Sequence, residues 1–432
     1  MKLKRKRAVT LIGLGLAGIL ALGGCAENPE AAAGDDPNDL HIQWLSARNT
    51  DQGMIKAIQQ IAEEYKQDYP GFELNIESIP ARPDYLQKVR ILASSGELPE
   101  WFDADTEPYF EEIVESGQTA DIGAIYDDLG LTDKFYPIGI EYPRLDDGSL
   151  HSMTFQGNIE HFWYNTELFA QAGVEVPTTF DELLEASKKL EAAGITPIAM
   201  TGQDRWPQMR FLSFLPFRQT GNEFIEGLRD GSAKMSDPVG IETATYFEEI
   251  AQYFQDGWAN ADYNTARDLF TSDRAAIYYI GSWELPSFVD ESGGLLPKYG
   301  RFVMPGVEGN NTTPATDMFA HAGIGTAIRS DADSPAMRDW LEFLFERFAD
   351  VSLFEYTSMP SLPPSTTEGL SPVVVELLDE LQQVDEYAHV WDVRLDPDTV
   401  DVIARESTNL GIGVITPEEF AQRVDDALEN NR

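Results

Sequence analysis

An α/β protein of two domains is what this sequence predicts, and three observations predict it. Short apolar runs alternate with amphipathic helical segments. The 432 residues exceed what a single hydrophobic core usually supports. With 42% apolar and 11% aromatic residues, there is material for two cores.

The chain opens on Lys2, Lys4, Arg5, Lys6 and Arg7, followed by a run from Ala8 to Leu22 that is apolar apart from Thr10. That run, about 15 residues, is short for a bilayer that needs roughly 20, so it reads as the apolar region of an export signal. It ends in Leu22-Gly23-Gly24-Cys25, which resembles the bacterial lipobox. Cys25 is the one cysteine, so no intrachain disulfide can form, and its expected role is the thioether anchor of a lipid on the outer face of the cell membrane. Residues 1–24 are the expected signal peptide. Residues 25–39, rich in Ala, Pro, Asp and Asn, read as a flexible tether.

Folded sequence is expected from Leu40. His41 to Leu45 reads as a strand, and Met54, Ile55, Ile58, Ile61, Ala62 and Tyr65 share one helical face that Pro70-Gly71 terminates. Phe72 to Ile79 alternates as a second strand, Tyr85 to Ala93 is a helix, and Trp101-Phe102 opens a short third strand. Thr179-Phe180-Asp181-Glu182 is a capping box for a helix reaching about Ala193, which Gly194 ends. Thr416-Pro417-Glu418-Glu419 repeats that signal before the terminal helix, and Asp237-Pro238, Ser334-Pro335 and Ser371-Pro372 mark further helix starts.

Composition limits the partners. The balance of 31 basic against 74 acidic residues gives a net charge of −43, and removal of residues 1–24, which hold five of the cations, makes it more negative. Such a body is repelled by nucleic acid and by anionic headgroups, so nucleic acid is no expected partner and membrane attachment would come from the lipid alone.

Several motifs resemble the extracellular solute-binding proteins of the maltose-binding type, and the resemblance runs in order through nearly the whole chain beyond the export signal. Trp163-Tyr164-Asn165-Thr166-Glu167-Leu168-Phe169, Ala172-Gly173, Pro177, the capping box at Thr179 and Ile195-Thr196-Pro197-Ile198 are similar to one conserved block of that family. Phe270 to Trp283 is similar to another, with Asp273 where glycine is usual and Ile277 where methionine is usual. The resemblance implies an α/β, two-lobed periplasmic-binding-protein-like fold: two mixed-sheet domains joined by a hinge around a ligand cleft. Lobe 1 is expected over 40–155 and 325–365, and lobe 2 over 156–324 and 366–432. Chain crossings are expected near 152–158, 319–327 and 362–369. The implied role is capture of a carbohydrate by a monomer and its delivery to the membrane subunits of an ABC permease, with no catalysis and no cofactor.

A sugar presents C–H faces to aromatic planes and hydroxyl rims to directional polar groups. Trp44, Trp163 and Trp340 lie in apolar periodic segments and are expected in the core. Trp206 follows the polar loop Thr201 to Arg205 at a strand end, and Trp283 stands where the family often places a stacking aromatic, so both are candidates for ligand contact. Polar candidates come from loops beyond strand ends, where α/β proteins collect ligands: Arg48 and Asn49 after the first strand, and Asp105 after the third. Asn49 and Asp105 are also suited to cap the helices that follow them. Gln156 and Asn158 lie on the first expected crossing, Asp317 and Met318 precede the second, and Tyr356 lies in the returning loop. Arg48 and Arg205 are the candidate loops' cations for an anionic solute, and the overall acidity favours a neutral mono- or oligosaccharide.

Enzyme chemistry has little support. The five histidines lack zinc spacing, no G-x-S-x-G elbow or Walker loop occurs, and Asp392, Asp396 and Asp398 miss the EF-hand pattern, so no metal site is expected. A secreted glycoside hydrolase would need a marked carboxylate pair among many. A ligand-sensing or partner-binding lipoprotein uncoupled from transport shares all these features.

Overall fold

The computed structural model describes residues 36–80, 82–104, 108–384 and 387–431. The export signal, Cys25 and Asp105 lie outside the described residues.

Among the described residues, ten strands form two five-stranded assemblies. They are β1 (His41–Ser46), β2 (Glu73–Ser78), β3 (Trp101–Ala104), β4 (Ser152–Met153), β5 (Asn158–Asn165), β6 (Thr196–Ala199), β7 (Ala275–Gly281), β8 (Tyr299–Phe302), β9 (Ala320–His321) and β10 (Gly325–Ile328). The first sheet runs β2-β1-β3-β10-β4, with β1 parallel to β2 and β3 and with β10 antiparallel to β3 and β4. The second runs β6-β7-β5-β8, with β9 paired to the start of β5. Both sheets are mixed, and the protein has the two-lobed architecture of periplasmic binding proteins.

Each sheet has its own core. Ile42, Trp44, Met54, Ile58, Trp101 and Trp340 are buried together around the first, while Phe162, Leu183, Ile198, Phe211, Ile277 and Trp391 centre the second. The face of helix Gly53–Asp68 that periodicity marks as apolar is the buried one, and helix Pro335–Tyr356 returns to pack against it. Trp44, Trp163 and Trp340 are fully buried, as their apolar surroundings predict.

Local signals translate directly into elements. Helices Phe180–Ala192 and Pro417–Asn430 each begin with a complete capping box, in which the threonine accepts from the third helical N–H and the glutamate returns to the cap backbone. Helices Pro238–Ala251, Pro335–Tyr356 and Pro372–Gln383 each start on the predicted proline. Asp273 replaces the usual glycine yet keeps the turn, with φ +61°. Its carboxylate accepts from Asn165 at 2.9 Å and pairs with Lys298 at 2.7 Å, contacts that offset the cost of a left-handed non-glycine residue.

The backbone passes between the sheets three times: from β4 to β5, from β9 to β10, and from helix Pro335–Tyr356, packed on the first sheet's helices, to helix Pro372–Gln383, packed on β5. The first and third passages touch, because Gln156 forms a bridge with Pro360.

Candidate functional site

β5 enters the second sheet with Glu160 fully buried between Ile159 and His161. Antiparallel register sets Glu160 opposite Gly281 of β7 and Asn158 opposite His321 of β9. Two residues beyond Gly281, the Trp283 ring folds back over the strand end, so close to Gly281 that a methyl group there would overlap the indole. Glycine at this position is therefore dictated by the tryptophan.

His321 is fixed by its neighbours. Its Nδ1 accepts from the Gly323 amide at 3.0 Å, which assigns the proton of the neutral ring to Nε2. Nε2 is buried and has no hydrogen-bond partner among the described residues; it lies 3.5 Å from Glu160 Oε1, longer than a good hydrogen bond. Gly323 has φ +71°, and the space beside it is taken by Gln156 and Asn158, whose side chains converge there. Asn158 is buried and accepts weakly from Ser282 at 3.4 Å.

Helix Trp206–Thr220 completes the cluster. Arg210 directs Nε to both oxygens of Glu160 at 3.2 and 3.1 Å, and Nη1 to Asp392 at 2.6 Å. One turn earlier, the Trp206 ring lies 5.3 Å from the Arg210 guanidinium. Trp206 meets Trp283 edge to face at 5.9 Å and 66°. Trp283 donates to the Tyr263 hydroxyl at 3.1 Å, and that hydroxyl in turn donates to Glu284. Further rings continue the row: Trp283 to His321 at 5.3 Å, His321 to Tyr142 at 6.0 Å, and Tyr142 to Tyr387 at 5.7 Å. These five rings are all half-buried.

Two carboxylates share the one guanidinium of the cluster. Burial would raise the Glu160 carboxyl, but the charge of Arg210 beside it reverses that and holds it below the ordinary range. Arg210 remains charged, because Asp392 and Glu160 outweigh the burial that opposes its charge. A buried glutamate and a half-buried aspartate thus hold one buried guanidinium, with the Trp206 ring beside it.

Of the residues named from sequence, Trp206, Trp283, Gln156 and Asn158 come together here. Arg48 does not. It is buried against Asp103 and the Ile324 carbonyl, so its guanidinium is committed within the first lobe. Asn49 is exposed and does not cap helix Gly53–Asp68, whose cap position is Gln52. Asp317 is buried with its carbonyl accepting from Arg218 at 2.8 Å, and Met318 is buried against the 387–388 segment through Ala388 N–H at 3.0 Å. Tyr356 is the last residue of its helix rather than part of a loop, and its hydroxyl donates to Gln60 at 2.8 Å. Arg205 forms an exposed pair with Asp401. Asp392 pairs with Arg210 and Asp396 caps helix Pro397–Gly411, so this aspartate run serves ion pairing and capping.

Sequence reasoning singles out none of Glu160, Arg210, His321, Tyr142 and Tyr387, and marks Asp392 only within the aspartate run weighed for calcium. A signal existed for two of them: Glu160 just before Phe162-Trp163-Tyr164 and Arg210 at the head of Phe-Leu-Ser-Phe-Leu each imply a buried charge that needs a partner.

Two mixed sheets linked by three passages, with a polar, ring-lined cluster beside the first two, define a two-lobed binding protein. The family model for the bacterial extracellular solute-binding proteins matches residues 51–347, and the chain belongs to that family. It is a solute-binding protein and not an enzyme. The multiple sugar-binding protein of Streptococcus mutans is 23% identical over 335 residues, covering 74% of this chain and 76% of that protein. The sn-glycerol-3-phosphate-binding periplasmic protein of Rhizobium meliloti is 28% identical over 222 residues, 49% of each chain. Among solved structures, a chitin oligosaccharide binding protein superposes with TM-score 0.77 at 20% identity, over 92% of this chain and 99% of that one.

Proposed function

We propose that this protein is the extracytoplasmic capture subunit of an ABC importer for a neutral mono- or oligosaccharide, anchored to the cell membrane by a lipid on Cys25. The observation that carries the reading is the ring surface of Trp206 and Trp283 laid over polar groups whose charges are already paired. Aromatic faces suit the C–H faces of a pyranose, and Gln156, Asn158 and His321 supply directional hydrogen bonds at their edge.

Neutrality follows from what the cations are doing. An arginine that is to hold a phosphate or carboxylate needs free N–H groups. Arg210 faces two carboxylates, Arg301 faces Glu376 and Glu380, and Arg218 donates to the carbonyls of Met304, Pro305, Pro314 and Asp317. This separates the reading from the glycerol-phosphate-binding relatives and favours the sugar-binding ones. In the same reading, lobe 1 comprises 40–155 and 325–365, lobe 2 comprises 156–324 and 366–432, the three passages are the hinge, and a monomer docks on the permease. Of the positions named from sequence, Trp206, Trp283, Gln156 and Asn158 are retained as ligand contacts, together with His321.

Calorimetry over a panel of neutral mono- and oligosaccharides, with sn-glycerol-3-phosphate beside them, tests this. The expected result is saturable binding of at least one neutral sugar and none of the phosphate. Binding of the phosphate alone would overturn the assignment while leaving solute capture intact.

A further inference from the structure

The backbone before Trp206 is unusual. Arg205 sits at φ +67°, a left-handed conformation for a non-glycine residue, so the helix starts at Trp206 from a constrained turn. Besides its packing against the hydrophobic core, the ring has two oriented neighbours: the guanidinium of Arg210 at 5.3 Å and the edge contact with Trp283 at 5.9 Å. The guanidinium is itself immobilised: Glu160 holds Nε from β5, and Asp392 holds Nη1 from helix Trp391–Arg394. Residues from two distant stretches of chain thus converge on one planar cation, which lies over the Trp206 ring and, at 5.6 Å, over that of Phe319. Trp283 is held separately, through Tyr263 and Glu284.

We infer that Arg210 is a positioning residue for the ligand platform: clamped between Glu160 and Asp392, it sets the plane of Trp206 and, through the edge contact, the angle at which Trp206 and Trp283 meet. The inference rests on the carbohydrate reading for its effect on affinity, but not for its effect on ring geometry. Two carboxylates around one arginine give the clamp its rigidity, because rotation of the guanidinium would leave a buried charge unpaired. Lysine at this position keeps a positive charge for both carboxylates. It lacks the flat fork that can satisfy both and still lie beside the indole.

The test compares Arg210→Lys in two backgrounds, using the neutral sugar that binds the wild-type chain. In the wild-type background, Arg210→Lys is expected to weaken binding by about tenfold, the size of a desolvated cation–π contact. In the Trp206→Ala background the same change is expected to alter affinity by less than twofold, because its route to the ligand is gone. Equal losses in both backgrounds, or no loss in either, would overturn the inference. Asp392→Asn preserves shape and the Glu160 contact while removing one side of the clamp, and guards against a Lys variant that fails to fold. It is expected to give a smaller loss of the same pattern. Near-ultraviolet circular dichroism of the unliganded protein reads the Trp206 and Trp283 pair directly. Trp206→Phe defines the pair's signal, and Arg210→Lys should diminish that signal with an unchanged far-ultraviolet spectrum. A pair signal unaltered by Arg210→Lys refutes the positioning role even if no sugar is found to bind, whereas failure of every sugar with a diminished signal refutes only the carbohydrate reading.

Discussion

Asp103 in the first lobe and Glu160 in the second are both buried carboxylates facing a buried arginine, and their surroundings differ in one respect. Asp103 accepts from Trp44 Nε1 at 2.9 Å, Ser46 Oγ at 2.7 Å, the Ala47 amide at 2.8 Å and Thr326 Oγ1 at 3.0 Å, besides Arg48. Its arginine ends on the Ile324 carbonyl, so the centre is closed on itself and ties β1, β3 and β10 together. Around Glu160 the set is incomplete: His321 Nε2 stands 3.5 Å away without a hydrogen bond, and His321 itself belongs to the row of five half-buried rings. A saturated polar centre stabilises a sheet. An unsaturated one beside aromatic faces retains capacity for a ligand.

The largest effect expected from this contrast is at the closed centre. Asp103→Ala leaves Arg48 buried and uncompensated, and should lower stability by about 3–5 kcal/mol in denaturant titration. Trp340→Ala, in the core of the same lobe, should cost a similar roughly 3–5 kcal/mol. If Asp103→Ala instead weakens sugar binding while stability holds, the first-lobe centre is part of the site and the contrast fails.

Next in size is Trp283→Ala. Its ring lies at the surface of the open centre, so affinity should fall at least tenfold, consistent with a truncated aromatic anchor at about 2–4 kcal/mol. The unliganded protein should unfold close to the wild-type midpoint. A variant that binds the sugar as wild type does would move the platform elsewhere.

A smaller effect is expected where the lobes meet outside the ring row. Asp146 sits in a tight turn bridged by Arg144 and Leu150, whose Leu145 and Leu150 belong to the first lobe's cores. Its carboxylate pairs with Arg229 and Arg394 of the second lobe, and chiefly the Arg229 hydrogen bond holds it below the ordinary range. Such half-exposed pairs contribute about 0–1 kcal/mol. Asp146→Asn should therefore speed ligand release no more than about fivefold at low salt, with the difference vanishing near 1 M salt, in stopped-flow fluorescence.

How much was legible divides along the same line. The capping boxes, proline starts and apolar helix faces are local, and each became an element where the residues indicated. Trp206 and Trp283 were marked by short flanking patterns and meet in space. Other candidates failed for physical reasons. Arg48 looked like a loop cation, but its partners at Ile324 and Thr326 lie more than 270 positions away, and they decide its burial. The carboxylate that matters after β1 is Asp103, inside β3, where strand alternation turns it toward Trp44. The Glu160, Arg210 and Asp392 set spans separations of 50 and 182 residues, which no local pattern reports.

The smallest effect concerns pH and again sets a saturated group beside its opposite. Glu226, on helix Glu223–Asp230, accepts from His389 at 2.6 Å and from Arg394 at 3.1 Å. Burial would raise its carboxyl, yet these cationic partners hold it at about 2, against an ordinary value of 4.5. A carboxyl depressed in the folded state adds stability that is complete above its unfolded value and is lost as pH falls through the folded one. The window is therefore about pH 4.5 down to 2. Glu226→Gln keeps the shape and removes the titration, so its stability should fall less steeply than wild type across that window while the curves run parallel above pH 6. Because Arg394 also serves Asp146, the variant should make Asp146→Asn matter more, since the arginine then has one carboxylate left to lose. Thermal unfolding of the two single variants and the double variant at pH 3 and pH 7 reads both effects. Parallel curves for Glu226→Gln and wild type down to pH 2 would show that the partners do not hold this carboxyl down.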